Sequence, residues 1–219
     1  EDMRQVCGVI TEGQEQRCRV LFNMLKETLE ERRKLSAGAN YMQYTRTLKD
    51  KSVPRILLFI DNFASFNEKI GGTLYDILIK LCKEGANTGI TLFVTCGGFS
   101  SNELPVRLSE YFKTAFCLEL KEKYSYAEVL GSLNIDVIPE KGIPGRGIVW
   151  VGERILEFHT ALAVKSTDDY ERMRLIAEEA ARQKGCCKDQ LPPPVKSISK
   201  KLKLSEFMAD SEVKDMLVQ

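Results

Sequence analysis

Arg55-Ile56-Leu57-Leu58-Phe59-Ile60-Asp61-Asn62 is the stretch on which the reading of the chain turns. Its apolar residues run without alternation and end in an acid. A run of this kind suits a strand buried on both faces, as in a parallel sheet. Pro54 closes the loop before it. Beyond it, Ile70, Leu74, Ile77, Leu78 and Leu81 recur at helical spacing, which predicts a helix over about 67–85. Gly85-Ala86-Asn87-Thr88-Gly89 reads as helix stop and turn. Ile90-Thr91-Leu92-Phe93-Val94-Thr95 then reads as the next buried strand. Strands that alternate with helices in this way predict an α/β sheet built from βαβ units.

Working outward, 14–35 predicts a long helix with Val20, Leu21, Met24, Leu25 and Leu29 on one face. A short helix is expected over 39–48. Downstream, 104–112 reads as a short helix, 114–120 as a strand and 126–133 as a helix. Residues 147–151 and 154–162, joined by Gly152-Glu153, read as a β-hairpin, and 168–183 as a terminal helix. A composition break follows at Lys184-Gly185. Leu191-Pro192-Pro193-Pro194-Val195 is an extended, polyproline-type connector. A basic stretch comes next, Lys196 to Lys203, and 204–217 reads as a helix or a partner-binding segment. The expected organisation is one domain over 1–184 and a Pro-rich, basic linker over 185–219. A chain that starts Glu1-Asp2-Met3 reads as an excerpt of a longer protein.

Composition narrows the function classes. The chain has 219 residues, 43% of them hydrophobic, enough for one core of ordinary size. Lys and Arg total 32 against 31 Asp and Glu, so the net charge of +1 gives no global reason to bind nucleic acid or an acidic membrane. No run of 18 apolar residues and no signal peptide occurs. The seven cysteines are scattered, without a CxxC pair and with a single histidine, His159. They read as small buried hydrophobes in a reducing compartment, not as zinc ligands.

Asp61 carries the strongest chemical signal. In P-loop NTPases a buried strand delivers such an aspartate to the Mg²⁺ of bound ATP, at the carboxyl edge of the sheet. The bland alternative is an acid that caps a loop or the next helix. Hydrolytic members of many ATPase families place Glu after this Asp to activate water. Here the position is Asn62, and an amide holds a water but does not accept its proton. No G-x-x-x-x-G-K-[ST] loop occurs. Gly71-Gly72 falls inside a predicted helix, and Gly97-Gly98 follows a strand without a lysine. Gly142-Ile143-Pro144-Gly145-Arg146-Gly147 leads into a strand, so it cannot offer the amides of a helix start. His159 is expected mid-strand and no G-x-S-x-G elbow exists, so nucleophilic hydrolases are disfavoured.

Several segments together resemble the FtsK/SpoIIIE ATPase family. They are the first long helix with Asn40, Tyr41 and Tyr44 after it; Pro54 to Phe63, similar to the family's Walker B strand; Gly89 to Thr95, similar to its sensor strand; Leu104-Pro105-Val106-Arg107-Leu108 with Phe112 and Phe116; and Ile143-Pro144-Gly145-Arg146-Gly147-Ile148-Val149 with Glu157-Phe158. Their order holds across roughly 3–163. Within the family the chain most resembles a middle, degenerate ATPase domain of the type VII secretion multi-ATPase proteins. The resemblance implies a RecA-like P-loop NTPase core, partial because the Walker A half is absent, with a parallel sheet, flanking helices and a hairpin. It implies Asp61 as the Mg²⁺-side acid, Asn62 at the replaced catalytic position, Thr95 as sensor, and Arg107 and Arg146 as interface candidates. These arginines also read as surface or loop-fixing groups.

ATP and Mg²⁺ are implied for the parent protein and none for this chain alone, which is not expected to be catalytic. The implied partners are neighbouring ATPase domains of the same chain, a hexamer in the parent, and secreted helical-hairpin substrates. The implied place is the cytoplasmic face of the bacterial plasma membrane. Two other readings stay open: a DNA-translocating ATPase of the same family, which the balanced charge disfavours, and a nucleotide-free protein interaction module.

Overall fold

The structure, a computed structural model, describes residues 3, 5–47, 53–98, 100, 103–131, 135–184, 193–195 and 204–209. Cys186, Cys187 and most of the expected linker lie outside the described residues.

Helix α1 spans Glu15–Ser36 and buries Cys18, Phe22, Leu25 and Leu29. The i, i+3/i+4 spacing of these four sets one apolar stripe toward the core, and each large side chain buried this way contributes about 1.5–3 kcal/mol. The helix ends at Ala37, whose backbone is left-handed. A short helix, α2, covers Tyr41–Thr47. Strand β1, Ile56–Ile60, leads into a helical run that starts with α3, Phe63–Phe66. A π-helical turn, Asn67–Gly71, follows, and then α4, Gly72–Thr88. Strand β2, Ile90–Val94, pairs parallel with β1 in the register Ile56↔Ile90 to Ile60↔Val94.

Helix α1 lies against α4, and one cluster joins Phe22, Leu25 and Leu29 of α1 to Leu58, Ile60, Leu74, Leu78, Leu81 and Ile90. Arg32 is also buried, and it meets no carboxylate among the described residues. Its Nη1 donates to the Thr88 carbonyl at 3.0 Å and its Nη2 to the Pro54 carbonyl at 2.9 Å. One guanidinium therefore ties α1 to the last turn of α4 and to the approach of β1, and burial lowers its pKa.

The second half begins with α5, Val106–Ser109, and strand β3, Phe116–Leu118. Helix α6 spans Lys123–Leu130, and β4, Arg146–Val151, and β5, Arg154–His159, form the expected hairpin. The order β3-β4-β5 is antiparallel throughout. A smaller cluster of Cys117, Tyr126, Ile135 and Ile148 closes one face of this sheet. Gly147 is indispensable there: a Cβ would stand 2.4 Å from the Cys117 carbonyl and 2.7 Å from the Phe158 ring. Helices α7, Asp169–Lys184, and α8, Leu204–Ala209, follow. Among the described residues no helix is long and apolar enough to cross a membrane.

Three expectations need correction. The β1 strand is not buried on both faces: Leu58 and Ile60 are, but Leu57 is 53% and Phe59 67% exposed. Phe59 stacks on Phe93 of β2 at 4.7 Å, and that face has no covering layer among the described residues. The stop does not begin at Gly85. The helix continues through Thr88, and Gly85 instead lets the helix press on β2, since a Cβ would lie 2.8 Å from the Ile90 carbonyl. Gly89, at φ +79°, makes the turn. His159 ends β5 instead of lying within it and is exposed, with Nε2 3.1 Å from the Pro144 carbonyl.

Candidate functional site

Asp61, Asn62 and Thr95 come together where β1 and β2 end. The pairing of the two strands continues one step beyond them: the Thr95 amide donates to the Ile60 carbonyl at 3.0 Å, and the Phe63 amide to the Thr95 carbonyl at 2.8 Å. This step sets the Thr95 side chain beside the β1 end. Its hydroxyl donates to Asp61 Oδ1 at 2.5 Å and accepts from the Asn62 amide at 2.9 Å. One hydroxyl therefore fixes both the carboxylate and the backbone that carries it.

Asn62 is one of two described non-glycine residues with positive φ, at 52°. Asparagine tolerates the left-handed region better than most residues because its short amide bonds locally. Its Oδ1 accepts from the Ser65 amide at 3.3 Å and caps α3. The Asn62 side chain is thus committed to the helix. The sequence marked Asp61, Asn62 and Thr95 as strand-end residues but did not reveal the cap. The D-N-F-A-S spacing, with its amide acceptor three residues before Ser65, was the signal available for it.

The loop after β2 holds a further residue the sequence did not single out. Glu103 Oε2 accepts from the Gly97 amide at 3.2 Å. Partial desolvation and the Glu103 charge push the exposed Cys96 thiol up, against a hydrogen bond at Gly98 that favours the thiolate. The more deeply buried thiols of Cys18, Cys82 and Cys117 are pushed up to about 11 by desolvation. They pack as small apolar groups.

Arg107 and Arg146 lie apart from this cluster in their contacts. Arg107 is exposed in the last turn of α5. Arg146 is held by Glu140 of the preceding loop at 2.6 Å and by Glu157 of β5 at 2.9 Å.

Asp61, Asn62 and Thr95 form a polar cluster at the carboxyl ends of two parallel strands. Asp61 Oδ1 is engaged by Thr95, and no bond to Oδ2 is found among the described residues. A carboxylate held in this way would leave one oxygen for a cation such as Mg²⁺, an ion that usually keeps several water ligands. No group of three or more His, Cys, Asp and Glu among the described residues could hold a metal by itself. Gly71 lies within a continuous helical run and Gly142 precedes a strand, so neither begins a phosphate-binding loop.

No family model and no curated protein matches the sequence. Solved structures do. EssC (ATPases 2 and 3) from Geobacillus thermodenitrificans superposes with a TM-score of 0.78 at 19% identity, over 95% of this chain and 39% of that one. The cytoplasmic domain of the type VII secretion ATPase EccC from Thermomonospora curvata gives 0.66 at 14% identity, over 95% of this chain and 25% of that one. EccC (ATPases 2 and 3) from the same organism, in complex with a signal sequence peptide, gives 0.70 at 19%, over 96% of this chain and 38% of that one. The chain thus spans well under half the length of these relatives. With β1, β2 and the Asp61 turn placed as described, the chain has the mixed α/β fold of the ATPase domains found in the type VII secretion proteins EssC and EccC.

Proposed function

We propose that this chain is a degenerate ATPase module of a membrane-associated, FtsK/SpoIIIE-type secretion motor. Its role is regulatory, substrate-coupling or structural, with weak or no hydrolysis. The observation that carries this reading is the Thr95 clamp on Asp61 at the carboxyl end of a parallel strand pair. Thr95 there does the work of a sensor by holding the acid in place. Asn62 neither accepts a proton nor points freely, because its amide caps α3. Asp61 supplies the Mg²⁺-side acid, and the phosphate cradle comes from polypeptide outside this chain.

The bare apolar face of Leu57, Phe59 and Phe93 supports that division. A face of this kind asks for a covering layer. In the parent protein the module sits at the cytoplasmic face of the bacterial membrane, among neighbouring ATPase domains of one chain and within a hexamer. Secreted helical-hairpin proteins are its substrates. The same bare face also favours a second reading, a protein interaction module without nucleotide.

Calorimetric titration with Mg-ATP separates the two readings. It is run on this chain and on a longer form with about 60–100 further residues on the amino-terminal side, the size of a half-domain. Binding only by the longer form is expected, and Asp61→Asn should then weaken it. No binding by either form would remove the nucleotide assignment and leave the interaction module.

A further inference from the structure

Near the start of the chain, three separate parts of the molecule meet. The Val195 amide donates to the Cys7 carbonyl at 3.2 Å. The Val195 side chain is only 5% exposed, although it belongs to no helix or strand. A Cβ at Gly8 would stand 3.4 Å from Val195 Cγ2 and 3.0 Å from Arg17 Nη2. Arg17 Nη1 donates to the Val9 carbonyl at 3.1 Å, which pins this segment to the first turn of α1. Gln5 Nε2 donates to Gln183 Oε1 at 3.0 Å, which ties the segment to the last turn of α7.

We propose that Pro193-Pro194-Val195 is a docked strap, seated on Cys7 to Val9, which fastens this Pro-rich segment to the start of the chain beside α1 and α7. The chemistry of the segment fits this role. Pro193 and Pro194 are exposed and have no N–H to donate, so the single backbone bond falls to Val195. Their rings hold φ near the extended value before docking, so little backbone freedom is lost on seating. One buried valine and one hydrogen bond then suffice to hold it. Gly8 supplies the room: a β-branched side chain there would fill the space that Val195 occupies. The strap does not depend on nucleotide at Asp61.

Hydrogen exchange on the whole chain tests this. The Val195 amide should exchange at least about tenfold more slowly than an unstructured chain of the same sequence, as expected for an amide freed only by local opening. Gly8→Val and Val195→Asp should each bring position 195 to within about twofold of the unstructured rate, with the β1 amides still protected. Unprotected exchange at Val195 in the parent chain, or protection unchanged in both variants, would overturn the strap. Should a variant lose β1 protection as well, tryptic cleavage after Lys196 in the unaltered protein decides. Cleavage about tenfold slower than in a free peptide of the same sequence supports docking. Cleavage as fast as in that peptide overturns it.

Discussion

Thr95 is where a single side chain decides the geometry of the strand ends. Its hydroxyl both donates to Asp61 and accepts from the Asn62 amide. Thr95→Val keeps the shape of the side chain and removes both bonds, and it should lower stability by roughly 1–2 kcal/mol in urea denaturation. Thr95→Ser keeps the hydroxyl and should lose less than half of that. A Val variant as stable as the parent would mean that water replaces the hydroxyl and that the clamp holds nothing. Asp61 and Thr95 were legible in the sequence because each follows an apolar run, and the ends of adjacent parallel strands meet. The role of Asn62 was not legible. A positive φ is imposed by where the chain must go next, and the letter N records only a tolerance for it.

At the scale of the element, β1 teaches the most. Its continuous apolar run led to the expectation of burial on both faces, yet only Leu58 and Ile60 are buried. Apolarity on both sides of a strand shows that neither side is meant for water. It does not show that the covering layer lies in the same stretch of chain. Leu58→Ala should cost about 2–5 kcal/mol, the usual effect of emptying a core site. Phe59→Ala, its neighbour, loses only an exposed stack on Phe93 and should cost about 0.5–1.5 kcal/mol. Denaturant midpoints of the two variants check the contrast, and equal losses would mean that the Phe59 face is covered after all. The helices were more legible, since one buried stripe at 3.6 spacing marks them wherever the partner lies. The end of α4 was misplaced because Gly85 looks like a stop but serves close packing against Ile90.

For the whole molecule, charge and burial together set a pH range. Arg182 and Gln183 hold the Glu179 carboxyl at about 2, down from 4.5, and Lys69 and Lys80 lower those of Glu12 and Glu30. Depressed carboxyls stabilise the fold above pH 4.5 and lose that effect as pH falls through their folded values. Cys18, Cys82 and Cys117 are shifted the other way, from 9.0 to about 11. Their burial as neutral thiols favours the fold below pH 9 and progressively less above it. Stability measured in urea should therefore be highest between these limits and fall toward pH 3 and toward pH 10.5, only slightly on the acid side because the paired carboxylates are exposed to solvent. A profile that stays level down to pH 3 would contradict the carboxylate pairing. The overall fold was readable from the order of soft motifs, at an identity of only 19% to EssC. What the sequence could not show is the split into two sheets, β1-β2 and β3-β4-β5, because strand pairing over long separations leaves no local mark.

The π-helical turn at Asn67–Gly71 has a consequence for how such sequences drift. A π turn is an α-helix with one residue too many. Losing one of those five residues would return the run to α geometry with little net rotation of α3 against α4, because the wide turn already absorbs the extra residue. The Asn62 cap and the acid before it would then stay beside Thr95. A one-residue deletion inside a regular α-helix turns one half against the other by about 100°. Here the wide turn is a place where one residue can be lost without disturbing the two strand ends, so the length of this run is less constrained than its composition.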